Sequence, residues 1–284
     1  MIGPALHDSA FLANVRAAHH GHGHFHLWWL GQSGFLLQWQ KRHALLDPYL
    51  SDSLTAKYAG TNKPHVRMTA RVIAPERLDF IDVVTSSHNH TDHFDPDTLL
   101  PLFAANPKLH LLVPEANRGV AAYRLKLSPK STALMGINAG DIRARGGFRF
   151  HGIPAAHNEL EQDADLNHKF LGYVVEFGSW RIYHAGDTKL YRGIEDWVRP
   201  FRVDVALLPI NGDRPERKVA GNLDARGAAR LAKDIGARLA VPMHYDMFTF
   251  NTADPAAFVD ECAKIGQPCR VLKAGERWSS AELG

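Results

Sequence analysis

The stretch SSHNHTDHFD, residues 86–95, follows directly on the apolar run IDVVT, residues 81–85. Its skeleton is His-x-His-x-Asp-His, made by His88, His90, Asp92 and His93. Side chains alternate along an extended backbone, so His88 and His90 share one side of it. Asp92 and His93 then turn toward an adjacent position, which lets one loop at a strand end serve two metal ions. Three further candidates also close strand-like runs: His157 in GIPAAHN (152–158), Asp187 in IYHAGDT (182–188) and His244 in AVPMHYD (240–246). One polar turn of this kind would be an ordinary solvated loop. Several of them, each after an apolar run and each offering imidazole or carboxylate, point to ligands that converge on metal.

Outward from this loop, the chain reads as two sets of short strands with helices between them. FHLWWL (25–30), GFLLQW (34–39) and HALLD (43–47) suggest a meander. KLHLLVP (108–114), STALMGI (131–137), GFRFHGIPA (147–155), FLGYVVEFG (170–178), WRIYHAGD (180–187) and VDVALLPI (203–210) are strand-like as well. Gly146-Gly147 is read as a turn and Gly178-Ser179 as a hairpin turn. DPDTLLPLFAANP (95–107) reads as a helix with Asp95 as N-cap and Pro96 at its first position. NLDARGAARLAKDIGA (222–237) reads as a helix capped by Asn222, and DPAAFVDECAKIG (254–266) as a last helix. This pattern predicts an α/β chain with two packed sheets and helices outside. The expected division is an N-terminal helix and mobile His-rich loop over residues 1–23, then a single domain over residues 24–284.

HNHTDH, HAGDT and the strand-terminal His157 and His244 resemble the metallo-β-lactamase fold hydrolases, from about Phe25 to about Trp278. Within that superfamily WWLGQSGFLL (28–37), LDPYLSD (46–52), HAGDTKLY (184–191) and DIGARLAVPMHYD (234–246) look closest to the L-ascorbate-6-phosphate lactonase-like branch. The zinc phospholipase D that hydrolyses N-acyl-phosphatidylethanolamine is similar in SHNHTDH and AGDT. The resemblance implies a four-layer αββα sandwich of two mixed β-sheets flanked by helices. It puts His88, His90 and His157 around one metal, Asp92, His93 and His244 around a second, and Asp187 between them. Two divalent ions are implied, Zn²⁺ first, with Mn²⁺ or Fe²⁺ also suited to such ligands. A bridging hydroxide would be the nucleophile, and Asp92 the catalytic carboxylate that orients it and moves its proton. His90 stands where di-iron members carry a carboxylate, which disfavours redox chemistry. A histidine at 157, a position that need not be histidine in the lactonase branch, weakens transfer of that branch's substrate.

The 284 residues carry 45% apolar and 22% charged side chains with net charge +3, as in a folded globular protein. No dense basic block suggests nucleic acid. No long uncharged apolar run suggests a membrane span, and residues 1–18 lack the pattern of a secretory signal, so a cytoplasmic location is expected. Cys262 and Cys269 are expected to be reduced thiols. Self-assembly into a homo-oligomer stays open.

The five histidines His19, His20, His22, His24 and His26 lack a carboxylate or thiol among them and are interleaved with glycine, so they are read as a decoy. Trp28 and Trp29 are read as core, and His184 as packed in its strand. Asp47 is a candidate to orient a ligand histidine. Lys189, Tyr191, Tyr245 and Asp246 are candidates for substrate contact or support. Arg214, Arg217 and Lys218 in NGDRPERKVAGN (211–222) would suit an anionic small-molecule substrate. Three functions compete: a metal hydrolase opening a lactone or similar ester, a phosphodiesterase of the phospholipase D type, and a metal-stabilised binding protein without turnover.

Overall fold

In the computed structural model, which describes residues 1–19 and 23–283, the apolar runs pair as two mixed β-sheets. The first contains β1 (Phe25–Gly31), β2 (Gly34–Trp39), β3 (Arg42–Leu46), β4 (Val83–Thr85), β5 (His110–Pro114) and β6 (Leu134–Ile137). The second contains β7 (Ile142–Arg145), β8 (Phe148–Pro154), β9 (Leu171–Phe177), β10 (Trp180–His184), β11 (Val205–Pro209) and β12 (Leu239–Met243). A last short strand, β13 (Arg277–Ser279), returns to pair antiparallel with β1, giving a seven-stranded sheet against a six-stranded one.

Both sheets follow one plan. Tight turns join antiparallel neighbours first, as at Gly178-Ser179, where Phe177 pairs with Trp180. Parallel neighbours follow, and these need crossovers. Helices α1 (Asp8–Ala18), α2 (Ser53–Tyr58), α3 (Pro96–Ala105), α4 (Arg118–Arg124), α5 (Ile194–Val198), α6 (Ala225–Asp234) and α7 (Pro255–Ile265) fill the connections and outer layers. Strands β1, β11 and β12 are buried at every residue, as strands covered on both faces must be. The sheets meet through aromatic rings: Phe25 of the first lies edge-on to Phe177 of the second at 5.3 Å. The fold is the four-layer metallo-β-lactamase sandwich.

Local signals set the helix ends. Asp95 caps α3 by accepting from the Asp97 amide, with Pro96 at the first position. The cap of α6 is Asp224, whose carboxylate accepts from the Gly227 amide at 2.7 Å. The expected cap, Asn222, lies too early and is drawn instead toward the site described below. α1 buries Phe11, Leu12, Val15 and Ala18 in the same core as the sheets, and Trp28 donates to Asn14 at 3.0 Å. Cys262 and Cys269 are free thiols. Among the described residues no helix is long and apolar enough to cross a membrane.

The topology has one functional consequence. β1, β3, β4, β8, β10, β11 and β12 all run the same way within their sheets, so their carboxyl ends gather at one edge of the sandwich. Every residue of the polar turns identified in the sequence lies just beyond one of those ends.

Candidate metal centre

Two groups of ligand-bearing side chains stand at that edge: His88, His90 and His157, and beside them Asp92, His93, Asp187 and His244. Within each group the ligand atoms lie within 4.8 Å of one another. The loop after β4 contributes to both groups, as its spacing suggested. The His88 ring centroid is 4.6 Å from His90 and 4.2 Å from His93. His157, His244 and Asp187 arrive from the second sheet. Asp187 spans the two groups: its Oδ1 is 3.2 Å from His93 Nε2, and its Oδ2 is 3.6 Å from His157 Nε2 and 3.5 Å from His244 Nε2.

Each imidazole is aimed by what holds its other nitrogen. The Asp47 carboxylate accepts from His93 Nδ1 at 2.8 Å, which turns His93 Nε2 toward Asp187. His157 Nδ1 is 2.8 Å from the Gly221 carbonyl and 3.0 Å from Asn222 Oδ1, so Asn222 holds a site histidine instead of capping α6. Asp47 is itself fixed: Oδ1 accepts from Thr85 Oγ1 at 2.9 Å and from the Ser87 amide at 3.0 Å. Such partners set tautomer and ring direction before any ion arrives. Gln32, in the β1–β2 turn, donates from Nε2 to Asp92 Oδ2 at 2.9 Å.

The backbone is strained where these side chains are presented. Gln32, Asp47 and His244 take positive φ of 49°, 41° and 68°, outside the comfortable range of L residues. Gly186 positions Asp187 at φ +60°, where a Cβ would lie 2.6 Å from the Leu171 carbonyl oxygen and 2.7 Å from Ser87 Cβ.

Electrostatically the centre is arranged for cations. His88 Nε2, His93 Nε2 and Asp187 Oδ1 are buried without a hydrogen-bond partner among the described residues. Buried polar atoms left this way are costly unless something coordinates them. Burial, then the neighbouring His93 and His90, hold His88 well below the usual histidine range. Burial would raise Asp187, but His93 and His244 hold it well below the usual carboxylate range. Burial would lower His244, but Asp187 and Asp92 push it up to about 9. Imidazoles and carboxylates with exposed lone pairs, in two adjacent groups sharing Asp187, fit a pair of divalent ions.

Residues 42–245 match the family described as a Beta-lactamase superfamily domain. The UPF0173 metal-dependent hydrolase TTHA1283 of Thermus thermophilus is 30% identical over 253 residues, 87% of this chain and 96% of its own length. This chain belongs to the UPF0173 metal-dependent hydrolases. Ta0764 of Thermoplasma acidophilum, of the same family, is 29% identical over 257 residues, covering 90% of this chain and 94% of its own. In fold alone, a possible metal-dependent hydrolase from Veillonella parvula DSM 2008 is similar, with TM-score 0.71 at 16% identity. It covers 89% of this chain and 98% of its own.

In this UPF0173 hydrolase four of the candidate ligands, His90, Asp92, His157 and Asp187, border a cavity of about 290 Å³. Six of the expected substrate or support residues do not border it. Lys189 turns to Asp213 at 3.1 Å, and Tyr191 donates to the Pro154 carbonyl at 2.6 Å. Tyr245 stacks on Trp29 at 4.3 Å and donates to Leu272, because it points away from the face that presents His244. Asp246 is tied by its backbone to Thr252 and Thr69, and Arg214 lines a separate cleft with Asp213 and Asp254. Arg217 is spent on the Asn211 and Thr252 carbonyls and Asn251, so of the basic loop only Lys218 borders the cavity.

The cavity wall instead includes Lys57, Lys63, His65 and Arg124, none singled out in the sequence. His65 stacks on Tyr58 at 4.4 Å and its Nδ1 is 2.8 Å from the Lys63 carbonyl. Of the His-rich stretch, His24 is exposed, while His26 is buried in β1 and pairs with Ser279. His19 Nε2 lies 3.1 Å from His43 Nε2. His20 and His22 lie outside the described residues. Among the described residues, none of this stretch joins a group of three ligands.

Proposed function

We propose that this protein is a dinuclear hydrolase that opens a lactone or similar small ester. The observation that carries the reading is Asp187, set between two groups of ligand atoms that share one loop and face one cavity. Two divalent ions bound there supply a water that loses its proton near neutral pH and a positive charge against the substrate's carbonyl oxygen.

The chain's own residues then do three things. His88, His90 and His157 would hold one ion and Asp92, His93 and His244 the other, with Asp187 within reach of both groups. Asp47 and Asn222 keep His93 and His157 in the tautomers that ligate. Asp92 is the proton handler. Its hydrogen bond from Gln32 and its contact with His244 at 3.4 Å both run through Oδ2, and the side chain borders the cavity. Burial would raise its pKa, but His93 and His244 hold it well below the usual range, so it enters the reaction ionised and able to accept a hydrogen bond from the attacking water.

The lactonase-like reading is preferred to the phospholipase D type because the cavity is small and its rim is basic. The apolar side chains of α1 that would have suited a lipid surface are inside the core. The test is hydrolysis by metal-reconstituted protein across sugar lactones, phosphorylated lactones and phosphodiesters, with Asp92→Ala as control. Lactone opening abolished by Asp92→Ala is the expected result. Phosphodiester cleavage with silent lactones would select the phosphodiesterase reading. No turnover at full metal loading would leave a binding protein.

A further inference from the structure

Lys57, Lys63, Arg124 and Lys218 all border the metal cavity, and they come from four different parts of the chain. Lys57 lies on α2, Lys63 on the loop after it, Arg124 at the end of α4 and Lys218 on the loop before α6. The acidic residues on the same wall are Asp92 and Asp187, both within the metal-ligand groups. None of the four cations has a carboxylate partner among the described residues. Some basic groups elsewhere do have carboxylate partners, as Arg238 has Asp204 and Arg270 has Glu276.

Three of the four are held by neutral acceptors. Lys57 donates to Thr91 Oγ1 at 3.1 Å, Arg124 to the Asn89 carbonyl and Lys63 to the Lys218 carbonyl. Neutral acceptors fix a cation's position without cancelling its charge. Such a wall repels itself and repels the divalent ions below it, so it is unfavourable until a ligand brings negative charge. The charges converge on a cavity of about 290 Å³ instead of spreading along a face, which fits a small anion and not a polymer.

We propose that this wall binds an anionic group, a phosphate monoester or a carboxylate, that the substrate carries away from the bond to be broken. The inference rests on the hydrolase reading for the substrate's other end. Lys63 and Lys218 face the distal group. Lys57 and Arg124 also brace the ligand loop through Thr91 and Asn89, so they are poor test positions.

The test is calorimetric binding of glycerol 3-phosphate, glycerate and glycerol to the metal-loaded full chain at low salt. Wild type, Lys218→Met, Lys63→Met, Lys63→Arg and the Lys63→Met/Lys218→Met double variant are compared at equal metal content. Charged ligands should bind at least tenfold more tightly than glycerol, losing about tenfold in affinity per cation removed and recovering in Lys63→Arg. Glycerol should bind all variants alike. The stronger of the two charged ligands identifies phosphate or carboxylate as the group. Unchanged phosphate affinity in the double variant would mean that the anion sits on the metals alone and would overturn the proposal, as would equal binding of glycerol and glycerol 3-phosphate. The readout needs no turnover. A chain that binds the anion at this wall but hydrolyses nothing would refute only the hydrolase reading.

Discussion

Asp47→Asn is the substitution that most sharply tests how the centre is held. Asp47 is buried at positive φ, a conformation asparagine tolerates, so the backbone need not move. Its carboxylate accepts from three donors: Thr85 Oγ1 at 2.9 Å, the Ser87 amide at 3.0 Å and His93 Nδ1 at 2.8 Å. Burial would raise its pKa, but His184 and His93 with the donated hydrogen bonds keep it low, so the native group is a carboxylate. An asparagine offers one oxygen and two N–H donors to the same three donors. One N–H then opposes a donor or forces His93 to accept at Nδ1, moving the ring proton to Nε2, where a metal must bind. An unsatisfied buried group costs about 1–3 kcal/mol, and disturbing the partner of a ligand histidine typically weakens metal binding about 10–100-fold. Competition with a chromophoric chelator should show that loss in the ion held by Asp92, His93 and His244, with the His88–His90–His157 ion less affected. The metal-free protein should melt only a few degrees lower, at about 2–4 °C per kcal/mol. Two ions bound with wild-type affinity by a folded variant would refute the orientation argument. Equal loss at both positions with a collapsed metal-free melt would refute it too.

Three further outcomes are expected. Burial holds His43 down to about 3 and His26 to about 4, so the unfolded chain binds more protons as pH falls below about 6.5. Their contribution to stability, intact above that pH, is lost toward pH 4. By pH 5 each costs about 1–2 kcal/mol, so urea midpoints of chelator-treated protein should fall, less steeply in His43→Gln; equal slopes would refute this. Gly186→Ala should lose roughly 2–4 kcal/mol in thermal or urea unfolding, since its Cβ would meet Leu171 and Ser87; an unchanged melt would show that the turn gives way. Against the pull of burial, Asp187 and Asp92 raise both His93 and His244, the latter to about 9, so both are protonated at pH 7 without metal. Metal loading should therefore release about two protons at pH 7, read by calorimetry in buffers of different ionisation enthalpy, and affinity should climb with pH toward 9. Proton-neutral loading would refute it.

The metal centre was legible because its ligands follow apolar runs that could only be strands, and because one loop carries several of them in sequence. Asp47 was legible for the same reason, as a carboxylate closing β3. The cationic wall was legible only at Lys218. Lys57 and Arg124 sit on short helices with no distinctive pattern, and nothing local shows that α2 and α4 approach one cavity. Proximity in sequence misled in the opposite direction: Tyr245 follows His244 directly, yet it turns into the core against Trp29. Gln32 was not singled out in the sequence, although it donates to Asp92. The three-residue β13 is too short to leave a periodic trace, and it forms only because β1 presents it an edge.

The loop after β4 belongs to one sheet, whereas His157, Asp187 and His244 belong to the other. Ions gripped by both would therefore act as rivets through the sandwich. Each would close a long excursion of the chain, adding to the few bonds that already cross the seam, such as the Leu171 amide to the Ser87 carbonyl. Catalytic readiness and mechanical cohesion become one variable, set by metal supply. A cell short of metal would hold a form of this protein that is both inactive and looser along its seam, and so more open to proteolysis.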